Sequence, residues 1–242
     1  MSSYFLSHTA CPKCGSSDAY AEYSDGHFYC FSCRYYKPAK IVSAKQVENA
    51  LFQNVKQNIY DLPIDISKNI PIDPYKWLKQ YGITTKEIED NSLSWSGSRE
   101  MLIFPFFGET KDDVLFWQGR YFPARTPKVF TSGFPDKHLS IHSNENDSSS
   151  VVVVEDSISA IKVSRVLNSS ELLGSNLSKH KAMALSRQFD NLYIWLDSNK
   201  FQASIKFSQM YKPLFKQVVV VYSEKDPKEY STQDIGAFLN VK

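Results

Sequence analysis

The last third of the chain alternates short, fully apolar runs with amphipathic segments. "VVVVE" and "NLYIWLD" are typical of buried strands and end on Glu155 and Asp197, and a third such run, "QVVVVYSEKD", leads to Asp226. The segments between them, "SISAIKVSRVLN" and "KFQASIKFSQMYKPLF", have helical spacing. Apolar strands that alternate with helices predict a parallel sheet covered on both faces.

The middle section begins with helical spacing and continues with strands. "DPYKWLKQYGITTKEIEDNSLSW" is helical, with Gly82 as a helix stop and Thr84 or Thr85 as the cap of the next turn. "MLIFPFF", "VLFWQGRYF" and "KVFTS" are β-type runs separated by polar turns such as "GETKDD". We therefore predict a small, mostly antiparallel unit that ends in a polar loop, "SNENDSSS", at residues 143–150.

All four cysteines lie in the first stretch of the chain, at Cys11, Cys14, Cys30 and Cys33. Two residues separate the members of each pair and fifteen separate the pairs, which is the spacing of a zinc ribbon. One bound Zn²⁺ would supply folding free energy that about forty residues cannot obtain from their own core. A pair of redox-active dithiols is the alternative.

Polar and aromatic side chains lie between and beside the cysteine pairs. Asp25 and His27 occur in "SDGHFYC". The aromatic residues of the same stretch are Tyr20, Tyr23, Phe28, Tyr29, Phe31, Tyr35 and Tyr36. Such rings stack on unpaired bases, and a carboxylate and an imidazole can hydrogen-bond to base edges. We predict a ribbon that reads nucleic acid; a ribbon whose metal only stabilises it is the alternative.

Residues 39–70 have poor periodicity, with at best one short helix near 43–55, and we interpret them as a tether. The predicted fold class is α/β: a small β ribbon, a mixed α+β subdomain and a parallel α/β sheet. The predicted domains are a zinc-binding ribbon at 1–38, a linker at 39–70 and a body at 71–242, the body being divided into 71–150 and 151–242.

Composition narrows the class of protein. The 242 residues are 42% hydrophobic and 22% charged, which is typical of a globular protein. With 28 Lys+Arg against 26 Asp+Glu, bulk charge provides little non-specific affinity for nucleic acid. No apolar run approaches the roughly 18 residues of a membrane span, no secretory signal is recognisable, and no cysteine remains for a disulfide framework. We expect a cytoplasmic protein without a membrane partner.

Three acids follow the predicted strands of the parallel sheet, namely Glu155, Asp197 and Asp226. Ligands of such sheets bind in the crevice beyond the carboxyl ends of the strands. Carboxylates gathered there need a compensating cation, and Mg²⁺ prefers oxygen ligands. The pattern therefore predicts a metal site at this edge.

Taken together, these motifs resemble a known family. "SDGHFYC" in a four-cysteine ribbon, "WLKQYGI", "VVVVEDSISAIKV", "WLDSNK" and "KDPKEYS" resemble the DNA primases of lytic short-tailed bacteriophages and, more distantly, the bacterial replicative primases. The resemblance covers almost the whole chain. It implies a TOPRIM sheet and the template-directed synthesis of short RNA primers on single-stranded DNA from ribonucleoside triphosphates.

The resemblance also implies roles for particular residues. Two-metal nucleotidyl transfer with Mg²⁺ or Mn²⁺ would use Glu155 as base or inner metal partner, and Asp197, Asn199 and Asp226 as metal ligands. In the middle section, Arg120 of "QGRYF" and Lys128 of "PKVFTSG" would face the triphosphate or the template backbone; Lys137 of "FPDKH" is a weaker match. In the ribbon, Asp25 and His27 would contact the template.

Two motifs depart from the family pattern. The usual D-x-D pair reads D-x-N, so that the neutral amide of Asn199 replaces a carboxylate. The usual E-G-x-x-D reads E-D-S-I-S, with Asp156 in place of glycine and Ser159 in place of aspartate. We hypothesise that Asp156 supplies the charge that Asn199 lacks.

No G-x-x-x-x-G-K-[ST] phosphate loop occurs in the sequence. We therefore expect the protein to act with a separate replicative helicase and DNA polymerase. Two alternatives stay open, another TOPRIM enzyme such as a nuclease, and a catalytically weakened adaptor that binds single-stranded DNA and the helicase.

Overall fold

The computed structural model describes residues 5–38, 61–145 and 149–241. The chain divides into two compact units, Met1–Lys56 and Gln57–Lys242. The short helix predicted near 43–55, like most of the predicted linker, lies outside the described residues. Within the described residues, no helix is both long enough and apolar enough to cross a lipid bilayer.

The first unit contains a four-stranded antiparallel sheet in the order β1-β2-β3-β4. Its strands are β1 (Phe5–Thr9), β2 (Tyr20–Tyr23), β3 (Phe28–Cys30) and β4 (Tyr36–Lys37). The Tyr20 ring stacks with the rings of Phe28 and Tyr35, at centroid distances of 5.1 and 6.0 Å. Besides these rings, the buried interior of the sheet consists of little more than Cys11 and Cys30, so the ribbon depends on its cysteines for stability.

The second unit begins with a five-stranded antiparallel sheet in the order β5-β6-β7-β8-β9. Its strands are β5 (Ile66–Ser67), β6 (Ser94–Ser96), β7 (Met101–Phe107), β8 (Val114–Tyr121) and β9 (Val129–Ser132). The antiparallel unit predicted from the sequence is therefore present, and its first strand, β5, lies within the stretch 39–70 that we interpreted as a tether. Strand β5 pairs with β6, and the Asp65 carboxylate accepts hydrogen bonds from Ser96 Oγ at 2.8 Å and Ser98 N at 2.6 Å.

Two helices, α1 (Ile72–Gln80) and α2 (Thr85–Asp90), connect β5 to β6. Gly82 follows α1 with φ +70°, a left-handed conformation that glycine adopts without strain. Thr84 caps α2 through a capping box: its Oγ1 accepts from Glu87 N at 3.1 Å, and Glu87 Oε2 accepts from Thr84 N at 2.7 Å. The predicted stop and one of the two predicted caps are confirmed.

The remainder forms a parallel sheet in the order β11-β10-β12-β13. Its strands are β10 (Ser150–Val154), β11 (Asn168–Glu171), β12 (Asn191–Ile194) and β13 (Gln217–Val220), and its helices are α3 (Ser157–Val163), α4 (Lys179–Ser186), α5 (Phe201–Tyr211) and α6 (Thr232–Leu239). Alternate valines of β10 belong to two different buried clusters, one on each face. The prediction of a parallel sheet covered on both faces is confirmed.

Strand β11 is missing from the sequence prediction, which extended the preceding helix to residue 168. Its sequence, "NSSE", has no apolar residue, yet all four residues are buried. Hydrogen bonds and an ion pair compensate for the burial of three of them: Ser169 Oγ donates to Ala160 O at 2.7 Å, Asn168 Nδ2 donates to Ser150 O at 2.9 Å, and Glu171 Oε2 lies 2.7 Å from His142 Nε2. The sheet therefore has an edge strand that hydrophobic periodicity cannot detect.

Helix α3 joins the two sheets of the second unit. Ile158 and Ile161 on α3 belong to the same buried cluster as Leu78 and Phe106 of the antiparallel part. Arg165, just after α3, donates from Nε to Glu87 Oε1 at 2.7 Å and from a terminal nitrogen to Glu87 Oε2 at 2.8 Å. Since this ion pair is bidentate and partly buried, it fixes the geometry as well as contributing energy. The two sheets of the second unit are therefore held in a fixed relative position.

Candidate functional site

The four cysteines of the first unit form a cluster, and all their sulfurs lie within 4.8 Å of one another. Cys11 Sγ is 3.8 Å from Cys33 Sγ, and Cys14 Sγ is 3.7 Å from Cys30 Sγ. A tetrahedral site with Zn–S bonds of about 2.3 Å requires sulfurs about 3.8 Å apart. The spacing of the sulfurs therefore fits one structural Zn²⁺, as the sequence predicts.

Asp25 and His27 meet in the turn between β2 and β3. Gly26 has φ +85°, which lets the chain turn tightly enough for His27 Nδ1 to lie 2.6 Å from Asp25 Oδ1. The His27 ring stacks on Tyr23 with a centroid distance of 4.3 Å and an interplanar angle of 9°. Tyr36 is 54% exposed, and its ring centroid lies 5.6 Å from that of His27. The two predicted template-contacting residues thus share a turn lined with aromatic rings.

The three predicted acids follow three neighbouring strands of the parallel sheet. Glu155 comes directly after β10, Asp197 comes shortly after β12, and Asp226 lies beyond β13. Asp197 N donates a hydrogen bond to Glu155 Oε1 at 3.1 Å, which links the first two strand ends. Among the described residues only the cysteines place three or more ligand atoms within 4.8 Å of one another, so the three carboxylates are more widely spaced than a closed metal cage.

Burial and mutual repulsion disfavour the charged forms of these acids. Burial and the nearby carboxylates of Glu155 and Asp226 raise the pKa of Asp197 to about 7. Burial likewise raises the pKa of Glu155. Asp197 Oδ1 is also buried without a hydrogen-bond partner. A buried oxygen without a donor, next to further carboxylates, suits a divalent cation; the residues present therefore fit Mg²⁺ or Mn²⁺.

Lys228 is a charged group of this site that the sequence analysis missed. Its Nζ lies 2.9 Å from Asp156 Oδ2 and 2.7 Å from Asp226 Oδ2. Although burial acts in the opposite direction, the carboxylates of Asp156 and Asp226 raise the pKa of Lys228 well above its usual value. The only sequence signal was the position of Lys228, two residues after Asp226 and across Pro227.

Asp156 has a structural role that the sequence hypothesis did not foresee. It is the N-cap of α3, where its Oδ1 accepts from Ile158 N at 3.0 Å and from Ser159 N at 3.1 Å. Ser159 Oγ also donates to Asp156 Oδ2 at 2.9 Å. The two residues that depart from the family motif are therefore bonded to each other, and Asp156 pairs with Lys228 instead of adding an unpaired negative charge.

The predicted basic residues line one groove with part of the acidic site. A cavity of about 300 Å³ is bordered by Arg120 and Lys128 of the antiparallel part and by Asp156, Asp226 and Lys228 of the parallel part. Two further predicted residues do not border this cavity: Asn199 is exposed two residues after Asp197, and Lys137 is exposed with its Nζ 4.5 Å from the Phe134 ring centroid.

Arg120 is held in the groove by aromatic contacts. Its guanidinium carbon is 4.4 Å from the centroid of the Trp77 ring on α1 and 5.9 Å from that of Phe122. A guanidinium stacked on an indole ring keeps its N–H groups available at the ring edge. The arrangement places a fixed positive charge where a phosphate group can reach it.

Solved primase structures share this fold. The zinc-binding and RNA polymerase domains of the Aquifex aeolicus primase align with 99% of this chain and 78% of their own, with a TM-score of 0.57 and 18% sequence identity. The primase fragment of the bacteriophage T7 primase-helicase protein aligns with 98% of both chains, with a TM-score of 0.52 and 17% identity. The chain therefore has the fold of the zinc-binding and RNA polymerase domains of primases.

Sequence similarity adds a phage relative. A DNA helicase/primase of Enterobacteria phage T3 is 54% identical over 37 residues, which are 15% of this chain and only 6% of that protein. No protein-family model matches the chain. The resemblance to phage and bacterial primases is thus confirmed for the fold, and the predicted fold class is correct.

Proposed function

We propose that the protein is a DNA primase, which synthesises short RNA primers on single-stranded DNA from ribonucleoside triphosphates during phage DNA replication. The observation that carries the proposal is the groove in which Arg120 and Lys128 face Asp226 across the junction of two sheets. A nucleotidyl transferase needs this pairing, because acids bind the metal while basic groups bind the phosphates of the incoming nucleotide. The primase fold of both units supports it.

The basic and acidic residues of the site have different proposed roles. Arg120 and Lys128 bind the triphosphate or the template backbone, and the fixed guanidinium of Arg120 offers a planar donor pair to phosphate oxygens. Asp197 and Asp226, with the amide oxygen of Asn199, are the metal ligands. Glu155 accepts from Asp197 N and so positions this ligand, and its raised pKa suits a base that receives a proton.

Bound Mg²⁺ or Mn²⁺ would supply Lewis acidity at the attacking 3′-hydroxyl and neutralise charge on the phosphate and the leaving pyrophosphate. The family resemblance implies two such ions, with Asp226 among their ligands; the Lys228 ammonium, 2.7 Å from Asp226 Oδ2, already neutralises part of the charge on that side of the site. Among Glu155, Asp197 and Asp226, only Asp197 has a buried carboxylate oxygen without a hydrogen-bond donor, which is a position that a cation can contact.

The ribbon reads the template in this proposal. Zn²⁺ on the four cysteines holds the turn that carries Asp25 and His27, and the neighbouring exposed rings offer stacking surfaces to unpaired bases. Single-stranded DNA is the template partner, and a separate replicative helicase and DNA polymerase are the protein partners. Because bulk charge is nearly balanced, affinity for DNA would come largely from tethering to these partners.

Primer synthesis on defined templates tests the proposal. Purified full-length protein is incubated with single-stranded DNA of randomised sequence, labelled ribonucleotides and Mg²⁺ or Mn²⁺. We expect short RNA that requires template and that disappears in Asp197→Asn and in Glu155→Ala. Asp190→Asn is the matched control, since Asp190 precedes the other end of β12 and pairs with Lys216; this variant should retain activity.

Two results would contradict the primase proposal and favour another function. Cutting of labelled DNA in place of RNA synthesis would identify a nuclease of the same fold. Absence of RNA with either metal, even with a replicative helicase added, would leave an adaptor that binds single-stranded DNA.

A further inference from the structure

Lys228 places a positive charge inside the acidic site. Its side chain is 17% exposed, and its Nζ bridges the carboxylates of Asp156 and Asp226, which come from opposite ends of the parallel part of the chain. The ring of Tyr81, across the groove, lies 6.0 Å from the same nitrogen. The ammonium is therefore paired with two carboxylates, lies near an aromatic ring and is not a solvated surface charge.

A bridging ammonium competes with a bridging metal ion. A divalent ion shared by Asp156 and Asp226 would need the oxygens that now contact Lys228 Nζ at 2.9 and 2.7 Å. Two cations cannot occupy this space, and the Lys228 ammonium is covalently tethered there. On this side of the site the negative charge is already compensated.

On the other side of the site, no described lysine, arginine or histidine forms an ion pair with Glu155 or Asp197; Lys200 acts on Glu155 only through longer-range attraction. Asp197 Oδ1 is buried without a hydrogen-bond partner, while Glu155 Oε1 accepts from Asp197 N. The carboxylates of Glu155 and Asp226 repel the negative charge of Asp197, whereas Lys228 attracts that of Asp226. Within the described residues, Asp156 and Asp226 therefore have a directly paired ammonium, whereas Glu155 and Asp197 do not.

We infer that Lys228 is a built-in cation that replaces one of two metal ions, so that the acidic site takes up a single divalent ion, on the side of Glu155 and Asp197. The inference deepens the proposed primase function and rests on it for its catalytic meaning. Lys228 also acts as a positioning residue, because it ties the turn that carries Asp226 to the N-cap of α3.

Metal binding can be measured without template, nucleotide or turnover. Zinc-loaded full-length protein is titrated with Mn²⁺, and free Mn²⁺ is followed by electron paramagnetic resonance. Wild type should bind a single Mn²⁺ per chain beyond the zinc. Lys228→Met, which removes the charge and keeps the length, should bind a second. Lys225→Met, on the exposed neighbour of Asp226, is the matched control and should behave as wild type.

Thermal unfolding provides a second readout. Without Mn²⁺, Lys228→Met should unfold at a lower temperature than wild type, because Asp156 and Asp226 lose their shared partner; added Mn²⁺ should restore more of the melting temperature than it adds to wild type. If Lys228→Met does not fold, Lys228→Gln, whose amide can still donate to Asp156, is measured in its place and should also bind a second ion.

Two outcomes would overturn the inference: a second Mn²⁺ on wild type, or a single ion of unchanged affinity on the folded Lys228 variants. Both are read from binding alone. Failure of the primase proposal would appear instead as the absence of RNA synthesis by a protein with the expected metal stoichiometry, so the two failures are distinguishable.

Discussion

His27→Ala separates a ribbon that reads the template from a ribbon that is only a structural zinc module. His27 Nδ1 lies 2.6 Å from Asp25 Oδ1, so in the neutral ring Nδ1 donates to the carboxylate and Nε2, on the opposite edge, is an acceptor. Such an edge suits the exocyclic amino group of a base. Stacking on Tyr23 at 4.3 Å fixes the ring plane.

The expected loss follows from these contacts. A hydrogen bond that the neutral Nε2 accepts from a base contributes about 0.5–1.5 kcal/mol, and its removal corresponds to about 2- to 10-fold in kcat/KM for initiation at the preferred start site. The ribbon itself should survive: the stacked aromatic pair contributes about 0.5–1.5 kcal/mol, whereas zinc binding contributes about 10–16 kcal/mol. The zinc content should therefore be unchanged.

The assay combines zinc determination with initiation kinetics on templates of defined sequence and sequencing of primer 5′ ends. His180→Ala is the matched control, because His180 is an exposed histidine on the body. We expect His27→Ala to keep its zinc but to initiate more slowly or at other sites. Unchanged rates and start sites in a zinc-replete His27→Ala protein would refute template reading by this residue.

Three further predictions follow from the structure. Cys30→Ser should lose zinc and unfold the ribbon, because the four sulfurs form one site, and should abolish template-dependent initiation while sparing untemplated dinucleotide formation by the body; zinc content and both activities are measured. Asn199→Asp, which adds a carboxylate beside Asp197, should lower the Mg²⁺ concentration for half-maximal synthesis by about tenfold, and an unchanged Mg²⁺ curve would contradict it. His142→Gln should lower the free energy of unfolding by about 3–5 kcal/mol, because it leaves the buried Glu171 carboxylate without the His142 Nε2 that lies 2.7 Å away. Burial opposes the charging of His142, but Glu171 raises its pKa above the ordinary 6.5. Wild type should therefore lose this stabilisation as the pH rises through the raised pKa of His142, whereas His142→Gln should not; urea unfolding at pH 6 and pH 9 compares them.

Local patterns predicted the elements that depend on neighbouring residues. The cysteine spacing predicts the metal cluster, because each pair closes within its own turn. The capping box of Thr84 and Glu87 and the glycine stop at Gly82 involve contacts only a few residues apart. The valines of β10 give a buried strand because β-branched residues favour strands and an uninterrupted apolar run has to be buried on both faces of the sheet. The strand ends then place Glu155, Asp197 and Asp226 along one edge of the sheet.

Tertiary structure alone decided the features whose partners are distant in sequence. Strand β11 is polar, and its burial depends on acceptors on other elements, such as Ala160 O for Ser169 Oγ. Lys228 and Asp156 are 72 residues apart, and neither position has a charge pattern that predicts the other. The sequence by itself therefore determined the fold class, the cysteine cluster and the positions of the acids at the strand ends. The folded chain determined which acids already have a paired cation. A buried charge is stabilised only by groups that contact it, and the fold decides which groups those are.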